Sequence, residues 1–531
     1  MDRKKALFIT ESMTDLPGHL RLAERLREHL GIVFLVKERT VRSELWQRGF
    51  PSFAYTELLT ESIAHLVEQW WEKNRVKPFE SLAYQGLPLW KLLELERGLI
   101  AADGFGDAQR AAVKLWADPL PTRLLEGYEH DRAQDRRTLT AALLCRTVGL
   151  IESFSRLLRF VQPSAAFIWN GLFLPTSVCS ELCVRHGIPA FFSEQGHFPN
   201  TMVVDPEGVD ARSSLCGELW RTLSVEQPTA REIEQLGSFL EAHHQFVESR
   251  ADQKKGSLRP PEVRQRLKIG DDRLILYAAQ PDTDAGVVLA SPAYSTNEKV
   301  IGDLARAAAV LPGARIVVSL HPQDACRAAA YAAALGDHGS IAKDILPDSL
   351  LAAADVVVVR NSAAGLEALT HRRAVVALGQ PIYSGKGFTY DVRRSEELIP
   401  QLGAALRTGG LPEGSGQVLD RFLIHLTQHY LYRVADGECD CPANVAIEHE
   451  ILRRIDEAVH AKRCEIVPAG HSHLVQLLKE QGPLLRRTGT LPRPLEALAR
   501  KAAKWAPLSL APDEIKQLCR LPQSVPEAKG R

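Results

Sequence analysis

Four short apolar runs, LILYAA, ARIVVSL, VVVV and AVVAL, recur between residues 273 and 378, separated by segments with helical patterning. Runs of four to seven apolar residues read as buried strands, because a helix of the same burial would need a longer periodic stretch. The series predicts strands at 273–279, 314–320, 355–359 and 374–378. Helices are predicted near 297–310, 324–335 and 363–370. Strands that alternate with helices imply a parallel sheet.

A similar rhythm opens the chain, where KALFIT (5–10), HLRLAERLREHL (19–30) and IVFLVK (32–37) form a strand, a helix and a strand. It returns with a strand at 165–169, a helix at 174–186 and a strand at 188–193. Between about 57 and 160 the pattern is mostly helical, with Trp70, Trp71 and Trp90 among the apolar positions. The expected fold class is therefore α/β and GT-B-like, with two doubly wound Rossmann-like domains facing across a cleft. Residues 1–250 form the first domain, with its helical insertion, and 267–460 the second. Between them 251–266, polar and carrying Gly256, Pro260 and Pro261, reads as a linker.

The remaining residues, 461–531, carry 13 Lys or Arg against 6 Asp or Glu in a chain whose net charge is zero. Leu495, Leu498, Ala499 and Ala502 share one helical face there, with Arg500, Lys501 and Lys504 elsewhere. That is the pattern of a helical tail at a membrane interface, and equally of a solvated helix. Neutrality excludes the cationic field that nucleic acid demands. No stretch reaches the roughly 20 apolar residues of a membrane span, and no signal peptide precedes the first strand, so a cytoplasmic location is expected. Nine scattered cysteines without a C-x-x-C pair read as reduced thiols, Cys179 and Cys183 as a core pair one helical turn apart.

In open α/β sheets ligands bind beyond the carboxyl ends of the strands. The polar residues at those positions are Glu194, then Gln280, Asp282 and Asp284, then His321, then Asn361 and Ser362, then Gly379 and Gln380. A hydroxyl at Ser362 can cap the following helix, whose free N–H groups attract phosphate. His321-Pro322 reads as a turn by itself, and as part of a nucleotide-phosphate site beside Ser362.

These residues carry a resemblance. EQGHFPNTMVVDPEGV (194–209), QPDTD (280–284), HP (321–322) and SAAGLEAL through VVALGQPIYSGKGFT (362–389) are similar, in order and spacing, to motifs of the bacterial capsular-polysaccharide β-Kdo transferases. Residues 429–448 resemble that family's closing segment. Ser319-Leu320 stands where members often carry a lysine, Pro281 interrupts the Q-x-x-x-D turn, and Lys386 replaces a common Trp.

The resemblance implies a retaining transfer of Kdo from CMP-Kdo to a glycolipid or saccharide acceptor. Retention by two displacements requires an enzymic nucleophile, for which Asp284 is the candidate and Asp282 the second. Glu194, in the first domain, is the candidate general base. Gln280, His321, Pro322, Ser362, Gly365, Glu367, Gly379, Tyr383, Gly385, Lys386 and Gly387 would hold the donor. Gly385 and Gly387 would let their loop approach it, with Lys386 free to pair with an anionic group. Gly196 and Asp205 are secondary sites, Asp205 being first of all part of a turn. No cofactor is implied. Asp282-Thr-Asp284 spells the D-x-D of metal-dependent transferases, but CMP carries one phosphate, and no metal is expected. The partners implied are donor, acceptor and the inner membrane surface, approached peripherally. The alternatives are a transferase or epimerase for another nucleotide sugar, and a non-catalytic scaffold of a polysaccharide export assembly.

Overall fold

A computed structural model describes residues 3–10, 15–36, 39–58, 60–101, 136–223, 227–252, 257–435 and 441–460. The expected tail at 461–531, with Cys464 and Cys519, lies outside the described residues, as does Cys439. The chain divides into two compact α/β units. The described residues of the first fall within 1–92, 136–191 and 451–460, and those of the second within 93–101 and 192–450.

In the first unit β1 (Lys5–Thr10) pairs in parallel with β2 (Gly31–Val36), and β2 with β3 (Ser52–Ala54). After a small hairpin of β4 (Ala83–Tyr84) and β5 (Leu87–Pro88), the strand β6 (Ala165–Trp169) pairs in parallel with the other side of β1. The described part of the predicted insertion is largely helical, with Glu61–Asn74 and the 26-residue helix Arg136–Val161 its longest elements. Cys179 and Cys183 lie buried on the helix Thr176–Arg185. The Cys183 contact and burial push the Cys179 thiol well up, so the pair is a core feature.

In the second unit, residues from Phe192 onward of β7 (Ala190–Gln195) pair antiparallel with β8 (Thr201–Asp205), which pairs with β15 (Leu431–Arg433). Its main sheet consists of β9 (Arg273–Ala278), β10 (Ala314–Ser319), β11 (Gly339–Ile341), β12 (Val356–Val359), β13 (Ala374–Ala377) and β14 (Tyr390–Asp391). The strands are parallel in the order β11-β10-β9-β12-β13-β14. Counted from β9 this is 3-2-1-4-5-6, the doubly wound Rossmann order. Alternate residues enter two separate cores, Leu274, Leu276, Val317, Val357 and Val359 on one face, Ile275, Tyr277, Val318, Val356 and Val358 on the other. Both faces are covered, which is why these strands are almost uninterruptedly apolar.

The division between units falls at residue 192 and not at 250. Phe198, Val203, Leu215, Trp220 and Leu236 pack into the same core as Leu274 and Val357, so 192–250 is bound to the second sheet by burial. The described residues of the expected linker are also largely helical. The helix Ala230–Asp252 runs into it, and Pro260 and Pro261 open the helix Pro260–Arg266, at whose start the missing prolyl N–H costs nothing. Glu262 accepts a hydrogen bond from the Arg259 N–H at 2.8 Å, completing that start. No described helix is long and apolar enough to cross a membrane.

Leu276 is 1% exposed in the central strand. Leu276→Ala is expected to cost about 2–5 kcal/mol, read as a lower urea midpoint for the second unit.

Candidate active site at the switch point of the second sheet

Strand order reverses between β9 and β12, the point of an open α/β sheet at whose carboxyl ends ligands bind. The two ends are tied by Arg360, which follows β12 and whose side chain is fully buried. Its Nη2 donates to the Gln280 carbonyl at 2.6 Å, to Asp282 Oδ1 at 2.9 Å and to Asn297 Oδ1 at 2.9 Å. The Asn361 N–H donates to Gln280 Oε1 at 2.7 Å, a second tie between the strands. Asp282 also accepts from the Asn297 N–H at 2.8 Å and from Arg327 at 3.1 Å. Both its oxygens are thus engaged in a network with Arg360, Asn297 and Arg327.

Asp284 stands two residues on and caps the helix Ala285–Ala290, Oδ1 accepting from the Gly286 N–H at 2.9 Å. A β-carbon built on Gly286 would lie 3.3 Å from Asp284 Oδ1 and 3.5 Å from Asp210 Oδ2, so two carboxylates share one face of this glycine. Burial, and then the charge of Asp284, push Asp210 up to about 6. Asp284 is also raised by burial, against the Gly286 and Val287 amides and the charges of Arg360 and His321. His321 is exposed at the end of β10 and near enough for its charge to act on Asp284. Pro322 opens the short 3-10 helix Pro322–Arg327.

The loop bearing Asp210 is pinned by Asp205, the fully buried last residue of β8. Asp205 Oδ2 accepts from Ser214 Oγ at 2.7 Å, the Ser214 N–H at 2.9 Å, Ser213 Oγ at 3.0 Å and Tyr430 Oη at 2.7 Å. Oδ1 accepts from the Glu207 and Gly208 N–H groups at 2.7 and 3.2 Å, the turn expected at this position. Asp205 thereby fixes Asp210 from a distance of five residues along the chain.

Ser362 caps the helix Ala363–Thr370, its Oγ accepting from the Ala364 N–H at 3.2 Å. Tyr383 donates to the Ser362 carbonyl at 2.6 Å and lies against Gly365, where a β-carbon would meet its hydroxyl at 2.1 Å; no larger residue fits. Gly379 lies beside Asn361, and the next N–H, that of Gln380, donates to Asn361 Oδ1 at 2.8 Å. Gly385 and Gly387 take φ values of 72° and 89°, the left-handed region their residue type allows.

Lys386 departs from expectation. It is buried, its Nζ donates to the Leu215 carbonyl at 2.8 Å, and it lies 5.2 Å from the centre of the Trp220 ring. Burial holds its pKa below the ordinary lysine value, and the chain's own groups take the place of the anionic partner. Glu367 faces the helix Ala230–Asp252, Oε2 lying 2.8 Å from His243 Nε2. Glu194, on β7 opposite Val203, belongs to the same unit as Asp284 and not to a separate first domain. Gly196 abuts the Thr201 side chain.

Asp210, Arg360 and Asn297 are site residues that the sequence patterns do not single out. Asp210 comes directly after the motif stretch 194–209, and Arg360 stands between the valine run and Asn361, so both had a positional signal.

The family described as capsule polysaccharide biosynthesis protein matches residues 239–400, which include Gln280, Asp284, His321, Arg360 and Ser362. This segment is similar to capsule polysaccharide biosynthesis proteins. No curated protein matches the chain. Among solved structures, Thermosulfurimonas dismutans KpsC, beta Kdo 2,7 transferase, is 19% identical, with 57% of this chain and 89% of that chain covered and a TM-score of 0.38. A glycosyltransferase from Rickettsia africae ESF-5 is 10% identical, with 86% and 99% covered and a TM-score of 0.31. A putative UDP-N-acetylglucosamine 2-epimerase from Listeria monocytogenes is 13% identical, with 86% and 97% covered and a TM-score of 0.31.

Asp210 gives a test by pH. Its folded pKa of about 6 exceeds the ordinary 3.8, so the folded chain holds a proton that the unfolded chain releases between those values. The resulting stabilisation is full below the lower value and is lost as pH rises through the higher. Asp210→Asn is therefore expected to be more stable than the parent above pH 6, by on the order of 1–3 kcal/mol, and nearly equal to it at about pH 3.5. Paired urea titrations at the two pH values measure the difference.

Proposed function

We propose that the chain is a glycosyltransferase of capsular or surface polysaccharide synthesis that transfers Kdo from CMP-Kdo, with retention, through an aspartyl-glycosyl intermediate. The observation that carries this reading is the Asp210–Asp284 pair at the switch point of a Rossmann-ordered sheet. The capsule-family match over 239–400 and the motif resemblance support the substrate class.

In this reading Asp284 attacks the anomeric carbon of Kdo and forms a glycosyl ester while the C–O bond to phosphate breaks. CMP leaves as a phosphate monoester. His321 and the amide end of the helix capped by Ser362 stabilise the charge that develops on the phosphate, each well-aimed donor contributing a few kcal/mol. An acceptor hydroxyl then displaces Asp284 from the sugar, and its proton passes to ionised Asp210. Asp210 thus takes the base role expected of Glu194, because it shares the face of Gly286 with the nucleophile. Asp282 and Arg360 position Asp284. The acceptor is a glycolipid or saccharide reached by peripheral association with the inner membrane surface.

Asp284→Ala is expected to abolish transfer, below a few per cent of the parent rate, while CMP affinity stays within a few-fold. Mass spectrometry of acceptor incubated with CMP-Kdo reads the first, calorimetry the second. Surviving transfer removes Asp284 as nucleophile.

His321→Ala and Ser362→Ala should each weaken CMP binding itself, because they meet the phosphate in ground and transition states alike. Unchanged CMP titrations in both variants would leave His321 as a turn residue and Ser362 as a helix cap.

A further inference from the structure

The second unit holds a cluster of imidazoles away from the Asp210–Asp284 pair. His243 and His244 lie on the helix Ala230–Asp252, and Glu367 and His371 lie on and just past the helix Ala363–Thr370. Hydrogen bonding explains part of it. His243 Nε2 is 2.8 Å from Glu367 Oε2, and His244 Nε2 is 3.0 Å from Thr370 Oγ1.

The other carboxylate oxygen, Glu367 Oε1, is buried and makes no hydrogen bond among the described residues. His371 Nε2 lies 3.5 Å from it without hydrogen-bond geometry. The rings of His244 and His371 stack at 4.0 Å with 17° between their planes. One ligand atom from each of His244, Glu367 and His371 lies within 4.8 Å of the others.

We propose that His244, Glu367 and His371 form a site for a divalent transition-metal ion of the class to which zinc belongs. Two imidazole nitrogens and one carboxylate oxygen are a donor set suited to such an ion, and the fourth position would fall to water. A tetrahedral ion with bonds of about 2.0–2.1 Å brings its ligand atoms to roughly 3.4 Å from one another, so the cluster needs a small closure. His371, partly exposed at the end of its helix, is the residue free to make it, by pivoting out of the stack. His243 acts as the outer support: its contact with Oε2 fixes the carboxylate and leaves Oε1 to the ion. The bound ion would clamp the helix Ala230–Asp252 to the helix that Ser362 caps.

The test uses the full chain, freed of metal by chelator and titrated with Co2+ at about pH 7.5. The expected result is a visible ligand-field band that saturates at one equivalent and is displaced by Zn2+. In His371→Asn, whose altered side chain is exposed enough to leave the fold intact, Co2+ affinity should fall at least tenfold. Glu367→Gln should behave alike, while His425→Asn, outside the cluster, should bind as the parent does. Zn2+ should raise the melting temperature of the parent and not of His371→Asn. Absence of a band, or equal affinity in parent and both cluster variants, overturns the proposal.

Discussion

A guanidinium with no exposure to water draws acceptors to itself, and the site at the switch point is tied together by one, Arg360. Desolvating each ion of a buried pair costs several kcal/mol, and removing one partner typically costs about 3–5 kcal/mol because the other is stranded. Arg360 meets this only in part: its Nη2 donates to Asp282, the Asn297 amide oxygen and the Gln280 carbonyl, while Nε and Nη1 are buried and make no hydrogen bond among the described residues. Those acceptors come from the end of β9 and from the start of the helix Asn297–Val310. The network therefore fixes the path of the chain from Gln280 to Asp282, and with it the place of Asp284.

A second anchoring system holds the other carboxylate. Asp210 sits at φ 51°, a left-handed conformation that Asp tolerates better than most residues. Six donors on Asp205 fix the loop on either side of it. Lys386 adds a tie from the glycine loop to the Leu215 carbonyl, just beyond the Asp205 donors. Its inward turn has its cause in its neighbours: with Gly385 and Gly387 at positive φ the backbone reverses there, and the apolar faces of Trp220 and Phe422 take the ammonium. By these contacts the glycine loop braces the stretch that carries Leu215 and Trp220.

How much of this is legible in the sequence depends on the range of the forces involved. The strands are legible because a sheet covered on both faces imposes apolarity at every position, and each of the four predicted runs at 273–378 coincides with an observed strand to within a residue or two. The boundary expected at 250 is not, because polarity marks exposure to water rather than a break in packing. Residues 260–266 are polar and helical at once, and 192–250 is joined to the second unit by contacts distant in sequence. Gln280 and Ser362 are found from their places just past the carboxyl ends of strands. Asp210 directly succeeds no strand, and only folding brings it to Gly286. Glu367 is readable only through its helix, whereas its environment is set by His243, more than a hundred residues away.

The two carboxylates at Gly286 have unlike surroundings, and the difference bears on how they could share work. Asp284 receives backbone N–H groups at a helix start and feels the positive charges of Arg360 and His321, all of which favour its ionised form against burial. For Asp210 burial and the repulsion of Asp284 act in one direction, and it is pushed as far as about 6. When the pair holds a single proton, electrostatics therefore leave it on Asp210 and the negative charge on Asp284. In the proposed double displacement Asp284 would act as an ionised nucleophile beside a group that titrates near neutrality: once it were consumed as an ester its charge would disappear, the repulsion on Asp210 would fall, and Asp210 would become easier to ionise as the acceptor hydroxyl arrived. The coupling that raises the pKa of Asp210 in the resting site would thus release it at the step that calls for a base.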